Sequence, residues 1–160
     1  MLSILIDTGV FYAFYNRRDV HHKDSLCLLT HILEGRFGRP YTVDLVVSEA
    51  YTLLRYRIGF EASLAFLRAL KQSGITIIFL DEEGFRETLK VLKTYSNRNL
   101  SFTDAFLVAS SITYEIPILA SYDVKSFSGI IRSIIGRGYA NSLPKEEYER
   151  IENVVSRYLS

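Results

Sequence analysis

The 160-residue sequence contains one cysteine, few prolines and no long hydrophobic run, and each shortage excludes a class of protein. Cys27 cannot form an intramolecular disulfide, and its leucine neighbours predict a small buried residue in a reducing cytosol. No apolar run is long enough to cross a bilayer. The first one, residues 2–6, is too short for a signal peptide and has no basic residues before it. We therefore expect a cytoplasmic protein with no membrane contact.

Neither sign of charge is in excess, since 19 Lys and Arg residues against 18 Asp and Glu residues leave a formal net charge of +1. A general electrostatic attraction to nucleic acid is therefore excluded, and RNA binding would depend on local groups of cations. Any single cation could simply lie on a solvated surface, so the prediction concerns a set of residues. Within this set, an aromatic ring could stack on an unpaired base. Its members are Arg17, Arg18, Lys23, Arg36, Arg39, Arg55, Tyr56 and Arg57.

The sequence does contain an alternation of short apolar runs and segments of helical period, in a composition that is 48% hydrophobic and 23% charged. This length and composition fit one globular domain. Residues 2–6, 75–80 and 116–120 are typical of strands buried on both faces of a parallel sheet. Between them, apolar spacing predicts helices over residues 45–57, 61–72, 83–95 and 101–115. The alternation predicts an α/β fold.

Other segments have weaker patterns. Residues 17–33 are expected to be helical near their end, and residues 35–40 form a basic loop interrupted by glycine and proline. Phe11, Tyr12, Phe14 and Tyr15 predict the core face of a first helix, with a dimer contact as a further option. After Pro144, apolar residues recur at helical spacing up to Tyr158, which predicts an appended amphipathic helix at the C-terminus.

Two aspartates follow predicted strands directly. Asp7 comes immediately after the first strand, and Asp123 follows the strand through Ala120 after Ser121 and Tyr122. In open α/β sheets, ligands bind at the carboxyl ends of the strands, where the strand order reverses. Each aspartate alone could equally be a loop residue or a helix cap. Together they indicate a site at that edge.

Two more acids lie in predicted helices. Glu49 interrupts an apolar helix, one turn from Leu45 and Leu53, and an unpaired carboxylate on such a face is costly. It could instead turn to solvent or pair with Arg55 or Arg57. Asp104 lies three residues after Ser101 in a sequence typical of a capping box, which would explain it locally. Capping and a place in an acidic site are compatible, because the first turn of a helix also faces the strand ends.

If the four acids converge, their repulsion calls for a cation. Two carboxylates about 4 Å apart repel by about 4 kcal/mol at an effective dielectric constant near 20. Ligation by oxygen alone selects Mg²⁺ or Mn²⁺, whereas zinc usually takes histidine or cysteine. Cys27, His21, His22 and His31 do not have zinc-site spacing, and adjacent histidines on a helix point apart.

The order of these motifs resembles that of the PIN-domain ribonucleases, especially the VapC-type toxins of toxin–antitoxin pairs. Asp7-Thr8 is similar to the opening motif, Glu49 to the second acid, Ser101 to Ala105 to the third motif, and Ala120 to Asp123 with Phe127 to the fourth. The resemblance runs from about residue 2 to residue 127. The chain departs from the family pattern in two places: Gly9 stands where a Ser or Asn is frequent, and Val124-Lys125 lacks an additional acid that some members have there. These departures leave open the supporting polar groups and the number of metals, not the four acids.

The resemblance implies a five-stranded parallel sheet flanked by helices, with a PIN-like nuclease domain in residues 1–135 and a C-terminal helical extension in residues 136–160. It implies an endoribonuclease that uses Mg²⁺ or Mn²⁺ bound by Asp7, Asp104 and Asp123. Glu49 would assist as a base or through a ligand water, and Thr8, Thr103 and Ser121 would support the acids. An RNA substrate, a small antitoxin partner and a homodimer are also implied.

Two alternatives stay open at this point. A haloacid-dehalogenase-like phosphatase also uses Mg²⁺ and an aspartate after its first strand, but it needs a second aspartate two residues later, where this chain has Gly9. The other alternative is an RNA-binding or RNA-processing module without a toxin role. The complete set of four acids argues against a module without catalysis.

Overall fold

The computed structural model describes residues 2–159, and within them five strands form one fully parallel sheet. The strands are β1 (Ser3–Ile6), β2 (Arg39–Val43), β3 (Thr76–Ile78), β4 (Ile118–Ser121) and β5 (Ser133–Gly136). Their order in the sheet is β3-β2-β1-β4-β5. The chain thus builds outward from β1 on one side and then returns to add β4 on the other. The strand order reverses between β1 and β4, which is where this kind of sheet opens a crevice for a ligand.

Helices flank the sheet, as the alternating pattern predicts. Their bounds in the described residues are α1 (Thr8–Tyr15), α2 (His22–Leu33), α3 (Asp44–Arg57), α4 (Phe60–Gln72), α5 (Glu82–Thr94), α6 (Phe102–Thr113), the short α7 (Val124–Phe127) and α8 (Lys145–Leu159). The main core joins apolar side chains of β1 and β4 to the inner faces of α1, α3 and α6. The predicted fold class, a parallel five-stranded α/β sheet with a C-terminal helix, is confirmed.

Two strands lie where the sequence pattern does not predict them. β2 begins at Arg39, inside the predicted basic loop, and β5 falls in the segment of weak pattern after Asp123. Gly38 allows the loop to end against the sheet. Its φ is +77°, and a Cβ at this position would lie 2.0 Å from the carbonyl oxygen of Leu2, so only glycine fits here. The turn into β2 therefore passes directly against the start of β1.

Helical spacing in α6 predicts an inner face of Phe102, Ala105, Val108, Ala109 and Ile112, and this prediction is partly wrong. Ile112 is 64% exposed, whereas Phe106 and Leu107, which the spacing does not place inside, are buried. Most of this helix is buried on more than one side, so its apolar residues do not form a single stripe. Periodicity is weakest in helices of this kind.

The C-terminal helix packs on α2 through a second, smaller core. Ile151 and Val155 of α8 contact Leu26 and Cys27, and Cys27 is fully buried as predicted. Burial raises the pKa of the Cys27 thiol to about 11. Among residues 2–159, no helix has the length and hydropathy needed to cross a membrane.

The buried His31 joins these two helices. Its Nε2 lies 2.9 Å from a carboxylate oxygen of Glu147 on α8, and its Nδ1 lies 2.6 Å from the hydroxyl of Tyr139. Because a carboxylate only accepts, Nε2 is the nitrogen that donates to Glu147, and the hydroxyl of Tyr139 pairs with Nδ1. His31 is thereby satisfied inside the fold and is not available as a metal ligand.

Candidate active site

Asp7 lies directly after β1 at the point where the strand order reverses. Its backbone N–H donates to the carbonyl of Ala120 at 3.0 Å, so Asp7 extends the pairing of β1 with β4. Its side chain caps α1 by accepting from the backbone N–H of Thr8 at 2.7 Å, and Ser121 Oγ donates to its Oδ2 at 2.7 Å. Burial raises the pKa of Asp7 to about 6, and the charges of Asp104 and Glu49 contribute in the same direction.

Ser121 connects Asp7 to Asp123. It is the last residue of β4 and fully buried, and its Oγ accepts from the backbone N–H of Asp123 at 3.0 Å while donating to Asp7. Gly136 of β5 allows this close packing, because a Cβ there would lie 2.3 Å from the carbonyl oxygen of Ser121. Asp123 is exposed and caps α7 by accepting from the N–H of Ser126 at 3.1 Å. Both aspartates at strand ends thus share one hydroxyl.

Glu49 is oriented by two threonines from different elements. Thr8 Oγ1 donates to its Oε1 at 3.0 Å, and Thr103 Oγ1 donates to its Oε2 at 2.6 Å. The sequence argument for Glu49 was wrong in one respect. The residue is exposed, and the buried face of α3 is formed by Val46, Ala50 and Leu54. Its carboxylate is not held by Arg55 or Arg57; Arg55 instead stacks on Phe60.

Asp104 has both of the roles that its sequence position suggests. It completes a capping box at the start of α6, accepting from the N–H of Ser101 at 3.0 Å while its own N–H donates to Ser101 Oγ at 3.0 Å. Its pKa is raised, chiefly by burial and then by the charges of Asp123 and Glu49. The cap explains its geometry, and the charges of Asp123 and Glu49 lie close enough to contribute to its raised pKa.

The four acids therefore gather at one edge of the sheet, and no cation of the part of the chain that the structure describes pairs with them. None of the ion pairs found among residues 2–159 includes Asp7, Glu49, Asp104 or Asp123. Carboxylate oxygen donors suit a hard divalent cation. Within the same residues, no three acidic, histidine or cysteine side chains are close enough to enclose a metal by themselves. A divalent ion here would complete its shell with water and substrate oxygens, as Mg²⁺ commonly does.

The predicted cations are not gathered at this edge as a set. Arg36 pairs with Glu147 at 3.3 Å, and Lys23 lies 5.9 Å from the ring centre of Tyr148. Arg17 and Arg18 are exposed in the turn after α1. Of the histidines, His21 stacks in parallel on Tyr122, with ring centres 4.1 Å apart, and His22 bonds the carbonyl of Ala13. The histidines thus have structural contacts, as the sequence favours.

An open parallel sheet with an acidic site at its switch point defines a class of α/β proteins, and comparison with known proteins identifies the family within it. The family model of the PIN domain matches residues 4–130. The VapC ribonuclease of Archaeoglobus fulgidus is 36% identical over 157 residues, which cover 96% of each chain. The chain therefore belongs to the PIN-domain family, and the resemblance seen in the motifs is confirmed.

Solved structures share the fold at lower identity. Mycobacterium tuberculosis VapC20, a toxin that cleaves the sarcin–ricin loop, superposes with a TM-score of 0.68 at 22% identity over 81% of this chain and 97% of that one. FitAcB of Neisseria gonorrhoeae gives 0.61 at 18% identity over 82% and 96%. VapBC2 of Rickettsia felis, bound to a promoter DNA fragment, gives 0.62 at 12% identity over 83% and 96%. These matches support the fold.

Proposed function

We propose that this chain is a metal-dependent endoribonuclease that hydrolyses RNA phosphodiester bonds and acts as the toxin of a toxin–antitoxin pair. One observation carries the proposal most strongly: four acids from four separate segments lie at the sheet's switch point, and none of them takes part in an ion pair among the described residues. The 36% identity to a VapC ribonuclease over nearly the whole chain supports the ribonuclease activity. The phosphatase alternative has no support in these comparisons.

Asp7, Asp104 and Asp123 are the proposed ligands of Mg²⁺ or Mn²⁺. Asp7 Oδ1 and Oδ2 each accept one hydrogen bond, and a carboxylate oxygen has a second lone pair for a cation. When bound, the ion would lower the pKa of a water molecule and neutralise charge on the phosphate. The single hydroxyl of Ser121 links the carboxylate of Asp7 to the backbone N–H of Asp123.

Glu49 is the proposed base. Thr8 and Thr103 each donate to one of its carboxylate oxygens, which fixes the direction of the remaining lone pairs. Held in this way, Glu49 can accept a proton from an attacking water at Oε1 or Oε2. Thr8, Thr103 and Ser121 therefore act by positioning the acids and do not react themselves.

The test is cleavage of structured RNA by the purified protein in Mg²⁺, Mn²⁺ or EDTA. We expect cleavage only with metal, and a loss of more than about 100-fold in Asp7→Asn and in Asp104→Asn. Asp81→Asn is the matched control, because Asp81 also caps a helix, by accepting from the N–H of Gly84, but lies outside the cluster. Full activity in both Asp7→Asn and Asp104→Asn would refute the proposed site.

The proposed partners are an antitoxin and a second copy of the chain. VapBC2 of Rickettsia felis is a VapBC assembly, and this likeness of fold motivates a search for a small partner that suppresses cleavage. A cavity of about 330 Å³ between α1, α2, α4 and α8 has a mostly apolar lining that includes Phe14, Leu33 and Tyr158. Such a lining suits protein side chains better than a phosphodiester. Light scattering of the protein alone measures the proposed homodimer, and light scattering with the antitoxin measures the proposed complex.

A further inference from the structure

Arg98 lies in the loop between α5 and α6, a position that sequence reasoning did not single out. Its Nη2 donates to three backbone carbonyls, those of Lys125 at 3.2 Å, Ser126 at 3.1 Å and Ser128 at 2.6 Å. The loop itself is fixed, because the N–H of Arg98 donates to the carbonyl of Tyr95 at 2.8 Å. A guanidinium that is half-buried and bonded to three carbonyls is a fixed part of the structure and not a mobile surface cation.

The three carbonyls belong to the segment that carries Asp123. Lys125 and Ser126 lie in α7, and Ser128 follows its last residue. The carbonyls at the end of a helix have no partner within the helix, so Arg98 satisfies groups that would otherwise need water. Asp123 caps the opposite end of this four-residue helix. Movement at the Arg98 end would therefore also move Asp123.

On its other side, Arg98 is close in sequence to the segment that carries Asp104. The capping box of Ser101 and Asp104 begins three residues later. Among the described residues, the hydrogen bonds that join residues 95–104 to residues 121–128 are those of Arg98. Asp104 and Asp123 carry like charges close enough to interact, so their repulsion acts against the approach of the two segments.

We propose that Arg98 is a positioning residue that holds the Asp104 and Asp123 segments together and so sets the affinity of the site for a divalent cation. The inference rests on the proposed function, since it assumes that these two aspartates bind metal. Arg98 touches neither carboxylate in this arrangement. It acts through the backbone of α7, which is why its effect should fall on metal binding and not on the chemical step.

The experiment compares Arg98→Ala, Arg98→Lys and the wild type by calorimetric titration with Mn²⁺ and by RNA cleavage over the same Mn²⁺ range. We expect Arg98→Ala to weaken Mn²⁺ binding by about 10-fold or more, with cleavage restored to within about threefold at saturating Mn²⁺. Arg98→Lys keeps the charge, but its shorter side chain does not place a nitrogen where Nη2 lies, so its affinity should lie between the two. Arg86→Ala, which removes an exposed arginine of α5, is the matched control and should bind Mn²⁺ as the wild type does.

A purely structural arginine would lower the melting temperature without changing Mn²⁺ affinity. Unchanged affinity in Arg98→Ala, alongside lost binding in Asp104→Asn, would overturn the role of Arg98 and leave the proposed function intact. A wild type that neither binds Mn²⁺ nor cleaves RNA would overturn the proposed function and this inference with it. If Arg98→Ala does not fold, Arg98→Lys tests the proposal. Wild-type Mn²⁺ affinity in Arg98→Lys would contradict the role of the hydrogen bonds from Arg98 Nη2 to the α7 segment.

Discussion

Each aspartate of the cluster serves as a local cap as well as a member of the site. Asp7 caps α1, Asp123 caps α7 and Asp104 completes the capping box of α6. A carboxylate at a helix N-terminus is favourable, and that local stabilisation helps to offset the repulsion among neighbouring acids. The same three side chains that begin the helices therefore bring negative charge together at the strand ends.

The raised pKa of Asp7 predicts how stability depends on pH in the metal-free protein. Its pKa is about 6 in the folded state against an ordinary value of 3.8 for aspartate, so between these two pH values the folded state binds more protons. The free energy of unfolding should therefore rise as pH falls from about 7 to about 4, by up to about 3 kcal/mol from this group. Asp7→Asn should be more stable than the wild type in EDTA at pH 7.5, and the difference should shrink toward pH 4.

Urea unfolding in EDTA at several pH values measures this difference. Asp81→Asn again serves as the control, since it removes a capping carboxylate without touching the cluster. Adding Mn²⁺ should make the wild type more stable than Asp7→Asn, because the metal stabilises the ionised wild type but not the variant. A constant difference between wild type and Asp7→Asn from pH 4 to pH 7.5 would contradict the prediction.

At the scale of elements, Glu147 of α8 forms a polar part of the contact between α2 and α8. Its carboxylate accepts from Arg150, His31 and Arg36. These hydrogen bonds, that of Arg150 first and that of His31 second, lower the pKa of Glu147 to about 2. Because the folded-state pKa is depressed below 4.5, its contribution to stability is present above pH 4.5 and is lost as pH falls toward 2.

Glu147→Gln should remove this acid-sensitive part of the docking of α8. We expect the stabilities of the wild type and Glu147→Gln to converge as pH falls from 5 to about 2.5. At the higher pH only, amide exchange in α8 should be slower in the wild type than in Glu147→Gln. Glu149→Gln is the control on the same helix, because Glu149 is more exposed and its distance to Lys145 is 3.9 Å. Parallel pH profiles for wild type and Glu147→Gln would show that this carboxylate does not hold the helix.

The elements were predictable to different degrees, and the reason is physical. β1 and β4 are apolar on both faces because they lie in the middle of the sheet, and their sequences predict strands. β5 is at an edge, and β2 starts with Arg39 and Pro40, so neither has a long apolar run. In β2, Thr42 is fully buried, and its hydroxyl donates to the carbonyl of Ile6. No local sequence pattern reveals this contact.

At the scale of the whole molecule, we propose that residues 136–160 are an extension of the same folding unit as residues 1–135. Ile151 is fully buried against Leu26 and Cys27, so α8 completes a core that α2 alone would leave exposed. Ile151→Ala should therefore lower the free energy of unfolding of the entire chain by about 2–5 kcal/mol. It should also speed the reaction of Cys27 with a thiol reagent.

Chemical denaturation followed by circular dichroism, together with thiol labelling, measures both effects. Val154→Ala, which truncates a side chain that is 42% exposed on the same helix, should change stability by no more than about 0.5 kcal/mol. If α8 folded independently, Ile151→Ala would leave the main unfolding transition where it is and loosen only the C-terminal helix.

The sequence by itself determined the α/β class, the family and the positions of the four acids, because buried strands, helix caps and motif order are written in local residue patterns. Only the tertiary structure decided that one serine hydroxyl joins Asp7 to Asp123, that two threonines orient Glu49, and that Arg98 ties the segments of Asp104 and Asp123. Most of these contacts join residues far apart in sequence. They exist because the chain returns to place β4 beside β1, and that return depends on packing across the whole sheet.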